Sequence, residues 1–400
     1  MTYLAIVTAT VAMGVTWMVT PLVIRLAESL GAVDLPGGRR LHARPTPRIG
    51  GLAVFLGFIA GLAVAAYFTG SLWSLPRVAV YWRGMVAAAT FLLLVGAVDD
   101  VRGVSFRGKF AAQIVAAAAV WWCGFRIELV SNPFGGTIDL GVLSFPVTVL
   151  WIVAITNAVN LIDGLDGLAA GIALMTTATV AGVAGVRGEF GVAAASLALA
   201  GSLVGFLRFN FSPARIFLGD SGSLFLGFVL AVTSVRGSQK GATAVAILAP
   251  LLVLGLPLLD TGLAIVRRLY RLTLRGRRTG HALRYVVRNL DHVFLPDREH
   301  IHHRLLDLGY SHRTAVLMLY GVGVLFAGSA FASVLFQSVA VGLVLVGTLF
   351  GAMALFVGAL YLRQWSSADS ASSASPEEAR PATVPLVDPV RAAGGPGRSG

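Results

Sequence analysis

Long runs without a charged side chain constrain this chain more than any other feature. None precedes Arg25, and residues 314–362 make up 49 positions without one. A helix crossing hydrocarbon needs roughly 20 apolar residues, and it must satisfy its own backbone polar groups. Runs that meet this demand lie near 3–24, 50–70, 80–98, 109–126, 142–161, 168–186, 190–207, 218–235 and 243–266. The stretch 314–362 is too long for one span and divides into two near Gln337 and Ser338, which brings the total to eleven. The third, fourth and eighth are the weakest, because Arg83, Lys109 and Asp220 crowd their ends. Charged residues form 12% of the chain, against about 25% in soluble domains. The predicted fold class is therefore an all-α polytopic membrane protein.

The net charge of +12 would raise the question of nucleic acid in a soluble protein. Here the positive residues sit between apolar runs, and membrane topology explains them better. With the N-terminus outside, alternating loops place 25 of the 31 Lys and Arg on the cytoplasmic side, where such residues are enriched. The C-terminus then lies inside. Met1-Thr2-Tyr3 has no basic residue, so the first span reads as retained, not as a cleaved signal. Residues 1–365 form the multi-span domain, and the Ser-, Ala-, Pro- and Gly-rich 366–400 read as a disordered cytoplasmic tail. The single cysteine, Cys123, excludes an intrachain disulfide.

Acidic residues are few, 19 in all, yet several fall at membrane boundaries. Asp99, Asp100, Asp163, Asp166 and Asp220 all lie at cytoplasmic ends of spans in a topology built from Lys and Arg alone. Ionisable groups at membrane depth are costly and usually functional. Carboxylates gathered on one face suit a hard divalent cation, Mg2+ or Mn2+.

Four clusters carry this pattern. Asp99 and Asp100 are neighbours, so on a helix they point about 100° apart; one acid is free for a metal and the other for a second substrate. In Asn157-x-x-Asn160-x-x-Asp163-Gly164-Leu165-Asp166-Gly167 the polar residues recur every third position. A straight helix would not focus them, but Gly164 and Gly167 permit a break. Gly219-Asp220-Ser221-Gly222 sets an acid between glycines at the start of a span, where a helix N-terminus favours an anion. His300, His302, His303 and Arg304 form the fourth cluster, in an Arg-rich inner loop. The absence of a thiolate partner argues against zinc there, and a phosphate or uridine diphosphate fits His and Arg better.

From Pro45-Thr46-Pro47-Arg48-Ile49-Gly50-Gly51 to about Arg313, the chain resembles the polyprenyl-phosphate N-acetylhexosamine-1-phosphate transferases, glycosyltransferase family 4. The Asp-Asp pair, the Asn-x-x-Asn-x-x-Asp-Gly-x-Asp-Gly run and the Gly-Asp-Ser-Gly turn occur in the family's order. His300-Ile301-His302-His303-Arg304-Leu305-Leu306, followed by Gly309 and Ser311-His312-Arg313, is similar to the branch acting with undecaprenyl or decaprenyl phosphate and GlcNAc 1-phosphate. The phospho-MurNAc-pentapeptide transferase branch has a run of adjacent histidines instead.

The resemblance implies Mg2+-dependent transfer of GlcNAc 1-phosphate from UDP-GlcNAc to a polyprenyl phosphate, releasing UMP. It implies the first lipid-linked step of a cell-envelope polysaccharide, in the inner (plasma) membrane with the site facing the cytoplasm. It implies catalytic roles for Asp99, Asp100, Asp163 and Asp166, and metal contact by Asp220 with Asp100 and Asp163. It implies substrate contact by Arg48, Lys109, Asn157, Asn160, Asp260, His300, His302, His303 and Arg304. The partners are a UDP-N-acetylhexosamine, the lipid carrier and the bilayer, with no nucleic acid; a homodimer is compatible with the sequence and not demanded by it. The rivals are a phospho-MurNAc-pentapeptide transferase, a CDP-alcohol phosphatidyltransferase and a secondary transporter. The second lacks its Arg after Asp163-Gly164-Leu165-Asp166-Gly167. The third would place acids near the midplane, commonly in two related halves.

Overall fold

Apolar runs of this length become helices because no water reaches the backbone in hydrocarbon, so its polar groups must be satisfied within the segment; even Pro21 is accommodated inside the first helix. A computed structural model describes residues 2–35, 45–69, 76–131, 137–238 and 301–336, with scattered helical positions at 262–285 and 344–355. Its helices are α1 (Thr2–Ser29), α2 (Gly51–Thr69), α3 (Pro76–Arg102), α4 (Phe106–Trp122) and α5 (Ser144–Ile162), followed by α6 (Leu168–Val186), α7 (Phe190–Asn210), α8 (Gly219–Ser238), α9 (Ile301–Asp307) and α10 (His312–Leu335). Two short antiparallel pairs complete it: β1 (Val33–Asp34) with β2 (Thr46–Pro47), and β3 (Leu129–Ser131) with β4 (Thr137–Asp139).

Among the described residues, seven helices are long and apolar enough to cross a membrane. The all-α polytopic expectation holds. The eight runs expected between residues 3 and 235 fall one each on α1 to α8, and the first part of 314–362 falls on α10. Two of the weak runs are the short ones: α4 has 17 residues, and the apolar part of α8 is Gly219–Val235. The run 243–266, the second half of 314–362 and the tail 366–400 lie wholly or largely outside the described residues.

Contacts between the described linkers and helix ends show how the spans alternate in direction. The ends of α1, α3, α5 and α7 therefore meet the starts of α2, α4, α6 and α8 at one end of the bundle. Aromatic side chains mark the other end, where Tyr81 and Trp82 pack edge-on against Phe125 and Arg126 lies 4.3 Å over the Trp121 ring.

Helix α8 is the core. Leu224, Phe225, Leu226, Phe228, Val229, Leu230, Ala231 and Val232 are all buried, as befits a helix apolar on every side. It packs against α2, α3, α5 and α6. Small residues let its first turn come close to its neighbours: a Cβ on Gly51 would strike the Gly222 backbone, and one on Gly96 would strike Asp220 and Ser221.

Candidate active site

The Pro-Thr-Pro-Arg-Ile-Gly-Gly run seats the start of α8. Its extended backbone pairs on one side with β1 and on the other with residues 217–218. Phe217 N–H donates to the Pro47 carbonyl (2.7 Å), Gly50 N–H to Phe217 (3.0 Å) and Gly51 N–H to Leu218 (2.9 Å). Gly219 follows with φ +72°, and an added Cβ would collide with the Arg48 carbonyl and come within 2.6 Å of Asp100 Oδ2. Only glycine meets both demands.

The two neighbouring acids of α3 part company here, as their divergent directions on a helix require. Asp100 is buried and caps α8: Oδ1 accepts from the Asp220 N–H (2.9 Å) and Oδ2 from the Ser221 N–H (3.0 Å). Arg48 Nε lies 3.4 Å from Asp100 Oδ1, and its Nη1 is 3.9 Å from Asp34. Asp99 turns the other way. Its Oδ1 accepts from the Val104 N–H (2.5 Å) and its Oδ2 from Lys109 Nζ (3.1 Å).

Lys109 enters from the first turn of α4, a helix started by Ser105, whose side chain accepts from the Gly108 N–H. Its ammonium also reaches Asp220 Oδ2 at 2.6 Å. The other oxygen of Asp220 accepts from Asn160 Nδ2 (3.1 Å), which in turn is 2.7 Å from Ser223 Oγ. One carboxylate thus joins α4, α5 and α8.

The chain breaks between α5 and α6 at Asp163–Gly167, and Gly167 adopts φ +79°. Asp166 Oδ2 accepts from the Ala214 N–H (3.0 Å), tying this loop to the α7–α8 loop. Among the described residues the Asp163 carboxylate accepts no hydrogen bond. Part of Asp163 reaches the surface, yet burial of its carboxyl pushes it well above the usual carboxylate range, and the charges of Asp220, Asp100 and Asp166 add to the shift. No three of His, Cys, Asp or Glu form a closed metal cage among the described residues.

Asn157 lies one turn deeper, where its Nδ2 donates to Gln113 Oε1 (2.5 Å) and to the Val153 carbonyl (2.8 Å). Gln113 and Ser223 escaped sequence reasoning. The signals were present: Gln113 is four residues after Lys109, and Ser223 three after Asp220, spacings that share a helix face. Arg304 is buried on α9. The backbone of His302 and His303 lies on the same helix, whereas Asp260 and His300 fall outside the described residues. Tyr320 of α10 donates to the Gly167 carbonyl (2.6 Å), bringing α10 against the acidic loop.

Acids, amides and one lysine thus converge on helix ends at one end of the bundle. The family model for "Glycosyl transferase family 4" matches residues 82–238, which hold Asp99, Lys109, Asn160 and Asp220. A probable undecaprenyl-phosphate N-acetylglucosaminyl 1-phosphate transferase of Bacillus subtilis is 37% identical over 314 residues, 78% of this chain and 80% of the relative. The decaprenyl-phosphate N-acetylglucosaminephosphotransferase of Mycobacterium tuberculosis H37Rv is 38% identical over 353 residues, 82% of each chain. An undecaprenyl-phosphate alpha-N-acetylglucosaminyl 1-phosphate transferase of Yersinia pestis is 26% identical over 301 residues, 74% of this chain and 75% of the relative. The chain belongs to glycosyl transferase family 4.

Proposed function

We propose that this protein transfers N-acetylglucosamine 1-phosphate from UDP-N-acetylglucosamine to a polyprenyl phosphate, with Mg2+ or Mn2+, at the cytoplasmic face of the plasma membrane. The relatives' activities support the reaction. The observation that carries it on this chain is the Lys109–Asp220–Asn160 junction beside Asp99, at one end of the bundle. The helix ends and loops at that end hold Arg25, Arg48, Arg102, Arg107, Arg208 and Arg215, which favours the cytoplasmic side.

A prenyl phosphate oxygen attacks the sugar-bearing β phosphorus of the donor. The bond from that phosphorus to the bridging oxygen breaks, UMP leaves with the electron pair, and a prenyl diphosphate sugar remains. A phosphate monoester is largely dianionic at neutral pH, its second pKa being about 6, so the nucleophile needs little base assistance. The obstacle is the approach of two polyanions, and catalysis is mainly positioning and charge stabilisation.

The residues fit a hard divalent cation. Five aspartates, Asp99, Asp100, Asp163, Asp166 and Asp220, gather at this end, with Lys109 and Arg48 paired to three of them. Mg2+ is usually held by one or two carboxylates plus substrate phosphates and water, not by a complete protein cage. Asp220 and Asp163 would hold it, and when bound it would neutralise charge on the transferring phosphoryl group. Asp100, with both oxygens engaged by the α8 backbone, keeps Asp220 in place. Lys109 holds Asp220 from the α4 side and offers its charge to a phosphate.

Purified protein with undecaprenyl phosphate should release UMP from UDP-GlcNAc and form a lipid-linked sugar. UDP-GalNAc and UDP-MurNAc-pentapeptide offered in parallel test the donor. Preference for the pentapeptide would replace the donor assignment, and no lipid-dependent UMP release from any of them would refute the reaction.

A further inference from the structure

Below the junction of Lys109, Asp220 and Asn160 lies a second polar layer that the reaction above does not use. Gln113 Nε2 is 3.4 Å from Asn157 Oδ1, and Asn157 Nδ2 is 2.5 Å from Gln113 Oε1, so the two amides face each other reciprocally. Gln113 is 2% exposed. On α4 it stands four residues beyond Lys109, about 6 Å deeper, and on α5 Asn157 stands three before Asn160, about 4.5 Å deeper. The pair therefore bridges the same two helices whose next turns deliver Lys109 and Asn160 to opposite oxygens of Asp220.

We propose that Gln113 is a positioning residue of the transfer reaction: through Asn157 it sets the spacing of α4 and α5, and so the placement of Lys109 and Asn160 around Asp220. The inference rests on the reaction proposed above. Its physical basis is the reciprocity of the pair. An amide presents a donor and an acceptor side by side, so two facing amides match in one relative position of their helices. In a buried layer, slippage leaves a polar group unsatisfied. With the Asn157 Nδ2 also donating to Val153, both amide protons of Asn157 are committed inside the protein. Asn157 thus supports the site through Gln113, whereas Asn160, one turn above, meets Asp220.

The test compares variants with wild type for kcat and for both KM values, using UDP-GlcNAc and undecaprenyl phosphate. Gln113→Leu should lower kcat about 10- to 100-fold, the scale of small misplacements in a site, with both KM values little changed. Should that variant fail to fold, the swap series decides. Gln113→Asn falls short of its partner and Asn157→Gln crowds it, so each should lower kcat; the double variant Gln113→Asn/Asn157→Gln rebuilds the pair and should restore it. Single variants with wild-type kcat would overturn the proposal, as would a double variant no better than the worse single one. A loss confined to the donor KM would overturn it too, showing Asn157 in direct contact with the donor. Wild-type protein inactive with every UDP-sugar would sink the reaction itself, an outcome visible before any variant is compared.

Discussion

Lys109 Nζ lies 2.6 Å from Asp220 Oδ2 and 3.1 Å from Asp99 Oδ2, so one ammonium holds together carboxylates from two different helices, α3 and α8. Without it, two acids would face each other in a poorly solvated space. Lys109→Gln should lower kcat at least about 100-fold, the usual scale for loss of a charged group that stabilises developing charge. Lys109→Arg should recover little, because a planar guanidinium cannot replace a compact ammonium between two acids. Steady-state kinetics would check this, and near-normal turnover in Lys109→Gln would refute the assignment.

Asp100 should behave differently from Asp99. Its carboxylate is a buried cap on the helix that forms the core, accepting from the Asp220 and Ser221 N–H groups. Asp100→Asn replaces one acceptor with an NH2 that faces a donor. A stability loss of about 1.5–3 kcal/mol is expected, the range for a hydrogen bond to a charged group, together with loss of turnover. Asp99→Asn should lose turnover with a smaller thermal shift. Melting curves in detergent separate the two, and equal stability in both variants would argue against the cap.

Gly219→Ala should be more damaging than an ordinary glycine substitution. The left-handed backbone alone costs about 1–2 kcal/mol for a residue with a Cβ, and here the Cβ also meets the Arg48 carbonyl. The expected result is a lower melting temperature and little turnover; Gly103→Ala, at φ +75° with open space around it, should suffer only the backbone cost.

Asp163 carries a cost in the metal-free protein. Its carboxyl is raised above the ordinary 3.8 by burial and by Asp220, Asp100 and Asp166. An acid whose folded pKa exceeds its unfolded one destabilises the fold as pH rises past the unfolded value, and does so in full above the folded value. In EDTA, Asp163→Asn should therefore melt higher than wild type near neutral pH, and the difference should shrink as the pH falls toward 4. Turnover should fall about 100-fold or more. Mg2+ or Mn2+ should raise the wild-type melting temperature and restore activity after chelation. An EDTA melting curve of Asp163→Asn at or below wild type at pH 7 would contradict this account.

Topology is checked by labelling. In a Cys123→Ala background, a membrane-impermeant thiol reagent applied outside should reach Asp139→Cys, at an exposed position of β4 near the aromatic end, and miss Ser212→Cys, in the α7–α8 loop near Asp166. Labelling of position 212 in intact cells would reverse the proposed sidedness.

What was legible in the sequence was local. Apolar runs determined α1 to α8, because a segment crossing hydrocarbon must satisfy its own backbone as a helix whatever surrounds it. The Asp-Gly-Leu-Asp-Gly spacing determined the break between α5 and α6, because Gly167 could take a left-handed conformation. Alternation of the spans then placed Asp99, Lys109, Asn160, Asp163 and Asp220 at one end. Tertiary structure decided which of these groups touch. Asp99 and Asp100 are chemically identical neighbours, yet one faces Lys109 and the other caps α8, because α8 passes one side of α3 and α4 the other. Along the chain Gln113 is an isolated polar residue in an apolar run, and only the packed bundle sets Asn157 across from it. Hydropathy and motif spacing act along the chain, whereas hydrogen bonds between helices depend on which faces the packed bundle turns toward each other.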